Sequence, residues 1–370
     1  MHYASELPAA LGLDEAIKYA ANVSRRVTKK FTSWRCPQKA DKLRVGFVSG
    51  DLRNHPVGYF LEGLLSNIDQ TKFELIAYVT NPNTDELTER IKPCFKLWQP
   101  LFGDSDEAAA KMIHDDGIQI LIDLAGHTAH NRLPVFAYKP APVQVSWLGY
   151  FATTGLAEMD YLLGDPHVTP ASEEQHFSEQ IWRLPETYFC FTPPSLDIKV
   201  GDLPALSNGY VTFGCFNNLL KMSAGTVALW AKVLNCVEGS KLFLKAKQFA
   251  DRQIVSRTIE RFDAMNISAN RLILEGASSR TDYFKSYNRV DIALDPFPFP
   301  GGTTTVEGLW MGVPVIAKRG DRFIAHNGET IANNTGQSGW VAEDEDDYVF
   351  KAKSFASDVK SLSKMRMGLR

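Results

Sequence analysis

The chain is sparing with cysteine, nearly balanced in charge and free of long apolar runs, and each shortage removes a class of protein. Only five cysteines occur in 370 residues, Cys36, Cys94, Cys190, Cys215 and Cys236. They are odd in number and show no C-x-x-C spacing, which argues against a disulfide framework or a thiolate zinc site and for reduced thiols in a cytoplasmic protein. A formal net charge of -3 gives no basic surplus for nucleic acid or an anionic membrane. No apolar run is long enough to cross a bilayer, and the amino-terminal stretch lacks a basic-then-apolar leader, so no membrane partner is expected. Short-period repeats, including helical repeats of the tetratricopeptide kind, are missing. So are the P-loop pattern G-x-x-x-x-G-K-[ST] and, in "VSGDLR", the G-x-G-x-x-G of a dinucleotide site.

What is present is globular: 44% hydrophobic and 22% charged residues, in a length suited to two domains. After a polar, basic lead, "LRVGFVSGD" and "FELIAYVT" read as β-branched strands. "DEAAAKMIHDDGIQILIDLAGHT" reads as a helix, an Asp-Asp-Gly stop and a buried strand, and "PVQVSWLGY" and "MDYLLGD" supply further strands. Residues 186–209, rich in Pro, Ser, Asp and Gly, hold the expected domain boundary. The second half repeats the alternation, with strands in "YVTFGCF", "KLFLKA", "RLILEG", "DIALD" and "VPVIA" and a helix over 223–234 with Ser223 as its N-cap. The expected organisation is a helical lead over 1–41, a Rossmann-like domain over 42–200 and a second over 201–370. Two doubly wound α/β domains facing a cleft would carry ligands beyond the carboxyl ends of their strands.

The chemistry-bearing residues fall at those strand ends. In "DPFPFPGGTTTVEGLW", three prolines impose an extended path and Gly301 and Gly302 allow an anion to approach a helix N-terminus. Thr303, Thr304 and Thr305 add hydroxyls, and Glu307 could accept from a ribose hydroxyl; the spacing of Thr304 and Glu307 also fits a capping box, which spacing alone slightly favours. Lys221, in "GCFNNLLKMS", could meet a diphosphate as a point charge or be an ordinary solvated lysine. His55 precedes Pro56 and so stands at a helix entrance, where it could serve as a base, bind substrate or simply cap. His127 and His130, with Asp123, invite a metal reading, but a polar loop is the better one, and no metal is expected. "DEDDY" reads as a solvated helix start.

Four stretches in order, "LRVGFVSGDLRNHPVGYFLEGLL", "HNRLPVFAYKPAPVQVSWLGYFATTG…MDYLLGD", "YVTFGCFNNLLK" and "LDPFPFPGGTTTVEGLWMGVPV", resemble the catalytic region of the O-linked N-acetylglucosaminyltransferase and SPINDLY family, its bacterial members most. The resemblance runs from about Lys42 to the carboxyl end. It implies a GT-B glycosyltransferase fold and metal-independent, inverting transfer from a nucleotide sugar to Ser or Thr hydroxyls of acceptor proteins. UDP-GlcNAc is the expected donor, with GDP-fucose or UDP-glucose, or a non-catalytic nucleotide-sugar module, as alternatives. No cofactor is implied. By position, Lys221 matches the diphosphate-binding lysine, Asn218 a donor-phosphate contact, Thr303 and Thr304 the paired diphosphate threonines, and Glu307 the acidic ribose contact. Arg280 and Tyr283 fall where the base is flanked, His55 matches the "NHP" active-site histidine, and His127 lies in the loop facing the donor sugar.

The chain departs from the family at Gly302, where animal members carry histidine, and at Ala325-His326, where a Ser-Arg pair is common. It also lacks the animal insertion, the helical repeats and the usual carboxyl-terminal helices. Acceptor recognition is therefore expected to come from a partner or from a segment outside this sequence.

Overall fold

The computed structural model describes residues 10–36 and 41–370; the rest of the expected lead, 1–9 and 37–40, lies outside the described residues. The described residues form two compact units, one that ends at Thr192 and one over Pro193–Arg370. The helix Ala10–Ser24 belongs to the first unit, where Ala20 and Val23 join a core with Ile76, Tyr78, Ile113, Leu121 and Phe136.

Among the described residues the first unit holds seven strands: β1 (Leu43–Ser49), β2 (Phe73–Val79), β3 (Leu97–Pro100), β4 (Ile120–Asp123), β5 (Val143–Ser146), β6 (Tyr161–Gly164) and β7 (Gln180–Arg183). They form one sheet in the order β3-β2-β1-β4-β5-β6-β7. Every pairing is parallel, with Val45 opposite both Leu75 and Ile120. Parallel strands need crossovers, and the chain supplies them as helices with local start and stop signals. Ser105 caps the helix Asp106–Asp115, and Gly117, at φ +65°, turns the chain left-handed into β4.

The second unit repeats the plan with β8 (Thr212–Cys215), β9 (Lys241–Lys245), β10 (Leu272–Glu275), β11 (Ile292–Leu294), β12 (Val315–Lys318) and β13 (Val341–Ala342), ordered β10-β9-β8-β11-β12-β13 and parallel throughout. Phe213, Trp230, Phe262 and Tyr348 fill its core. Ser223 caps the helix Ala224–Cys236 as expected, and Asp344 caps the helix that follows the acidic run.

In both sheets the strand order reverses between the first strand and the fourth, β1/β4 and β8/β11. Crossovers leave such a pair in opposite directions, so its carboxyl ends are left uncovered and form the ligand crevice of doubly wound sheets. Residues 50–55 and 124–127 follow β1 and β4, while 216–221 and 295–302 follow β8 and β11. Three strands not expected from sequence, β3, β7 and β13, occupy sheet edges. The first two bury little of their length, and β13 is two residues long, so none carries a clear apolar period.

A buried cation closes the second unit. Arg366, 1% exposed, donates to the carbonyls of Gly201 (2.8 Å), Val290 (2.8 Å) and Tyr287 (3.3 Å) and to Asn288 Oδ1 (3.2 Å). Truncating it strands several buried acceptors at once. Arg366→Ala is expected to destabilise the second unit by about 2–4 kcal/mol, measured by urea unfolding with a reporter in that unit.

Candidate functional site

In the second unit the residues after β8 and β11 form one hydrogen-bonded cluster. Lys221 Nζ donates to Asn217 Oδ1 (3.0 Å) and to the carbonyl of Pro300 (2.8 Å), and it stands 3.9 Å from the centre of the Phe299 ring. Thr304 Oγ1 donates to the same Asn217 oxygen at 3.0 Å. Beneath them lies Asp295, 3% exposed, whose carboxylate accepts from Thr305 Oγ1 (2.9 and 3.1 Å), Gly301 N (3.1 Å) and Asn217 Nδ2 (3.5 Å). Burial pushes the Lys221 ammonium down to about 8 against the attraction of Asp295. Burial likewise pushes the Asp295 carboxyl up to about 6, opposed by its hydrogen bonds and by Lys221.

The loop between β11 and the helix Thr303–Trp310 is held closely. A Cβ on Gly301 would lie 2.2 Å from Thr305 Oγ1 and 2.5 Å from Thr304 Oγ1, so only glycine allows this approach. Gly302 is the N-cap, which leaves the first backbone N–H groups of the helix without a side-chain cap, and Thr303 is its first residue. The capping box allowed by the Thr304–Glu307 spacing is not formed. Glu307, 1% exposed, instead accepts from Arg280 and, at 2.9 Å, from Tyr283 OH. Burial raises its carboxyl above the usual range against Arg280 and Tyr283. Tyr283 and Tyr287 hydroxyls meet at 3.1 Å, and Tyr287 OH reaches the Thr304 carbonyl at 3.0 Å, which joins this cluster to that of Lys221.

Asn218 is exposed; its side chain caps its own turn at Leu220 N (3.1 Å) and accepts from Gln248. The amide that engages Lys221 is the preceding Asn217. Together with Asp295, Thr305 and Tyr287, it forms a supporting layer, of which the sequence pattern offers only Thr305, as one of three hydroxyls at the helix start. The one sequence signal for Asp295 is its place, an acid directly after a buried strand.

In the first unit the two candidate histidines have complementary hydrogen bonding. His55 is the N-cap of the helix Pro56–Asn67: its Nδ1 accepts from Val57 N at 3.4 Å and stands 3.6 Å from Asp51 Oδ2. The neutral ring therefore carries its proton on Nε2 and presents a donor. His127 Nε2 lies 2.9 Å from the carbonyl of Thr154, which can only accept, so Nε2 is protonated here too. Its Nδ1 keeps a lone pair, and among the described residues no hydrogen bond engages it. Tyr19 and Tyr150 flank the His127 ring edge-on at 4.8 and 5.2 Å.

The Asp123 carboxylate turns back onto Ala125 N and Gly126 N, and His130 is exposed, so these residues build a loop. Among the described residues no group of three or more His, Cys, Asp or Glu side chains could hold a metal ion, and no helix is long and apolar enough to cross a membrane.

Comparison with known proteins gives the geometry its family. The model of glycosyl transferase family 41 matches residues 15–195 and 192–370. A tomato (Solanum lycopersicum) protein described as a probable UDP-N-acetylglucosamine–peptide N-acetylglucosaminyltransferase SPINDLY is 37% identical over 349 residues, covering 92% of this chain and 37% of that protein. The Arabidopsis thaliana protein of the same description is 36% identical over 351 residues, covering 93% and 38%. A solved structure of an O-GlcNAc transferase variant from Thermobaculum terrenum superposes with a TM-score of 0.93 at 33% identity, over 100% of this chain and 70% of that one. The fold is that of a GT-B glycosyltransferase. The chain belongs to glycosyl transferase family 41. It spans little more than a third of the length of the curated relatives it matches.

Burial lowers both histidines below the usual 6.5, for His55 against Asp51 and for His127 against its bond to Thr154. Each is thus neutral at pH 7, and the folded chain loses stability as pH falls through 6.5, where the unfolded chain takes up the protons first. Nitrogen-15 NMR of the ring nitrogens at pH 7 is expected to show the Nε2–H tautomer at both positions.

Proposed function

We propose that this chain is the transferase part of an inverting protein O-glycosyltransferase that moves GlcNAc from UDP-GlcNAc to Ser or Thr hydroxyls of proteins. The observation that carries the reading is the cluster at the β8/β11 switch point, where a half-buried lysine, a glycine pair and an uncapped helix N-terminus converge. These are the features that hold a diphosphate. The names of the relatives, peptide N-acetylglucosaminyltransferases and an O-GlcNAc transferase, supply the sugar and the acceptor class.

The acceptor oxygen attacks the anomeric carbon while the bond from that carbon to the donor phosphate breaks, and the electron pair leaves with UDP. Charge grows on the leaving diphosphate, and Lys221 with the backbone N–H groups at Thr303 and Thr304 stabilises it there, without a metal or other cofactor. Glu307, with Arg280 and Tyr283, serves the nucleoside. Asn218 stands beside the diphosphate subsite as an exposed amide. For the acceptor, His127 offers the Nδ1 lone pair that can take the hydroxyl proton, and His55 offers an N–H that can position it. Free cysteines suit a cytoplasmic enzyme, and a partner or further segment would present the acceptor.

Mass spectrometry of a cell lysate incubated with the protein and UDP-GlcNAc is expected to show added N-acetylhexosamine on Ser or Thr. Lys221→Ala is expected to lower transfer by about 10²–10³-fold, as loss of an oxyanion donor does. Unchanged transfer by that variant, or calorimetric binding of GDP in preference to UDP, would overturn the respective assignment.

Diphosphate binding favours the charged lysine. UDP affinity is therefore expected to fall as pH rises through about 8, with proton uptake on binding at pH 8, seen by calorimetry in buffers of different ionisation enthalpy.

A further inference from the structure

We propose that Asp295 and Asn217 are a positioning pair that holds Lys221 and the Gly301–Thr305 turn in register for the donor's diphosphate. The inference rests on the donor site proposed above and assigns two residues that touch no substrate.

Asn217 is 7% exposed, and the surrounding groups settle which way its amide faces. Its oxygen receives two donors, Lys221 Nζ and Thr304 Oγ1, both at 3.0 Å. Its nitrogen faces two acceptors, Asp295 Oδ1 at 3.5 Å and Cys215 Sγ at 3.6 Å. Flipping the amide would set N–H against the ammonium and oxygen against the carboxylate. The carboxylate thus fixes the amide, and the amide fixes the ammonium.

The same carboxylate also fixes the loop. Asp295 Oδ1 accepts from Gly301 N, and both oxygens accept from Thr305 Oγ1, so the residue before the loop pins the residues that end it. The loop in turn supplies the Pro300 carbonyl, the second acceptor of Lys221. Two routes therefore lead from one buried acid to one cation, through Asn217 and through Pro300. With two protons of Lys221 assigned to fixed acceptors, the direction of the third is set by the frame. Lys221 is the cation that faces Asp295; the Cys215 thiol and the Tyr348 phenol, both buried, also face its charge, and the Tyr348 hydroxyl bonds its backbone carbonyl at 3.1 Å.

A pair that aligns a diphosphate-binding cation affects UDP far more than UMP, which lacks the second phosphate. Asp295→Asn keeps the shape and removes the charge. Asn217→Ala removes the link to Lys221 and leaves the bonds of Asp295 to the loop in place. Calorimetry with UDP and with UMP on the full chain, wild type and both variants, tests the idea, with thermal melting alongside. The expected result is a loss of about tenfold or more in UDP affinity, with UMP affinity held within about twofold, in both variants. If both variants keep the wild-type ratio of UDP to UMP affinity, or if UDP and UMP weaken together as melting temperature drops, the positioning role is overturned. If the wild-type protein does not prefer UDP to UMP, the donor-site reading itself falls, and the pair with it.

Discussion

The pairing of β8 with β11 is the constraint on which the second unit's chemistry depends. Phe213 lies opposite Ile292 and Gly214 opposite Ala293, so the two strands end side by side at Cys215 and Leu294. Any polar residue placed directly after those ends shares one crevice with its neighbour, although Asn217 and Asp295 are 78 positions apart in the chain. The sheet thereby does the work of a short motif, and neither strand end reads as a site by itself.

Burial then sets the electrostatics. A lysine moved out of water loses part of its preference for charge, and an aspartate moved beside it gains a preference for its proton. The two shifts face each other here, Lys221 down and Asp295 up, with an amide between them that satisfies both. Such an arrangement contributes little to stability, since desolvation offsets most of the attraction. What it supplies is alignment, and alignment matters most where charge develops on a leaving group.

Much of this was legible in the sequence because buried parallel strands are continuous apolar runs and helix crossovers announce their ends. "IQILID", "KLFLK" and "DIALD" stand out for that reason. The edge strands β3 and β7 are half-solvated and carry no such run. At the site, Lys221, Thr304 and Glu307 were readable as residue types suited to a nucleotide. Spacing nonetheless favoured a capping box for Glu307, because spacing cannot see Arg280 and Tyr283 arriving from a different helix. Asn217 and Asp295 stayed hidden for the same cause, since their meaning is a contact and not a pattern. The proton positions on His55 and His127 are likewise decided by Val57 N and the Thr154 carbonyl, which only the folded chain brings into range.

The lacing of Arg366 to Gly201, 165 positions earlier, bears on the order in which the molecule is made. The first unit ends at Thr192 and has its own core, so it can fold while the rest of the chain is still on the ribosome. The second unit instead needs the helix Val359–Gly368 in place before the carbonyls of Val290 and Gly201 meet the guanidinium that satisfies them. The half of the chain that carries the Lys221 cluster is thus fastened across a long stretch of sequence, and a break before Arg366 would leave those carbonyls unpaired.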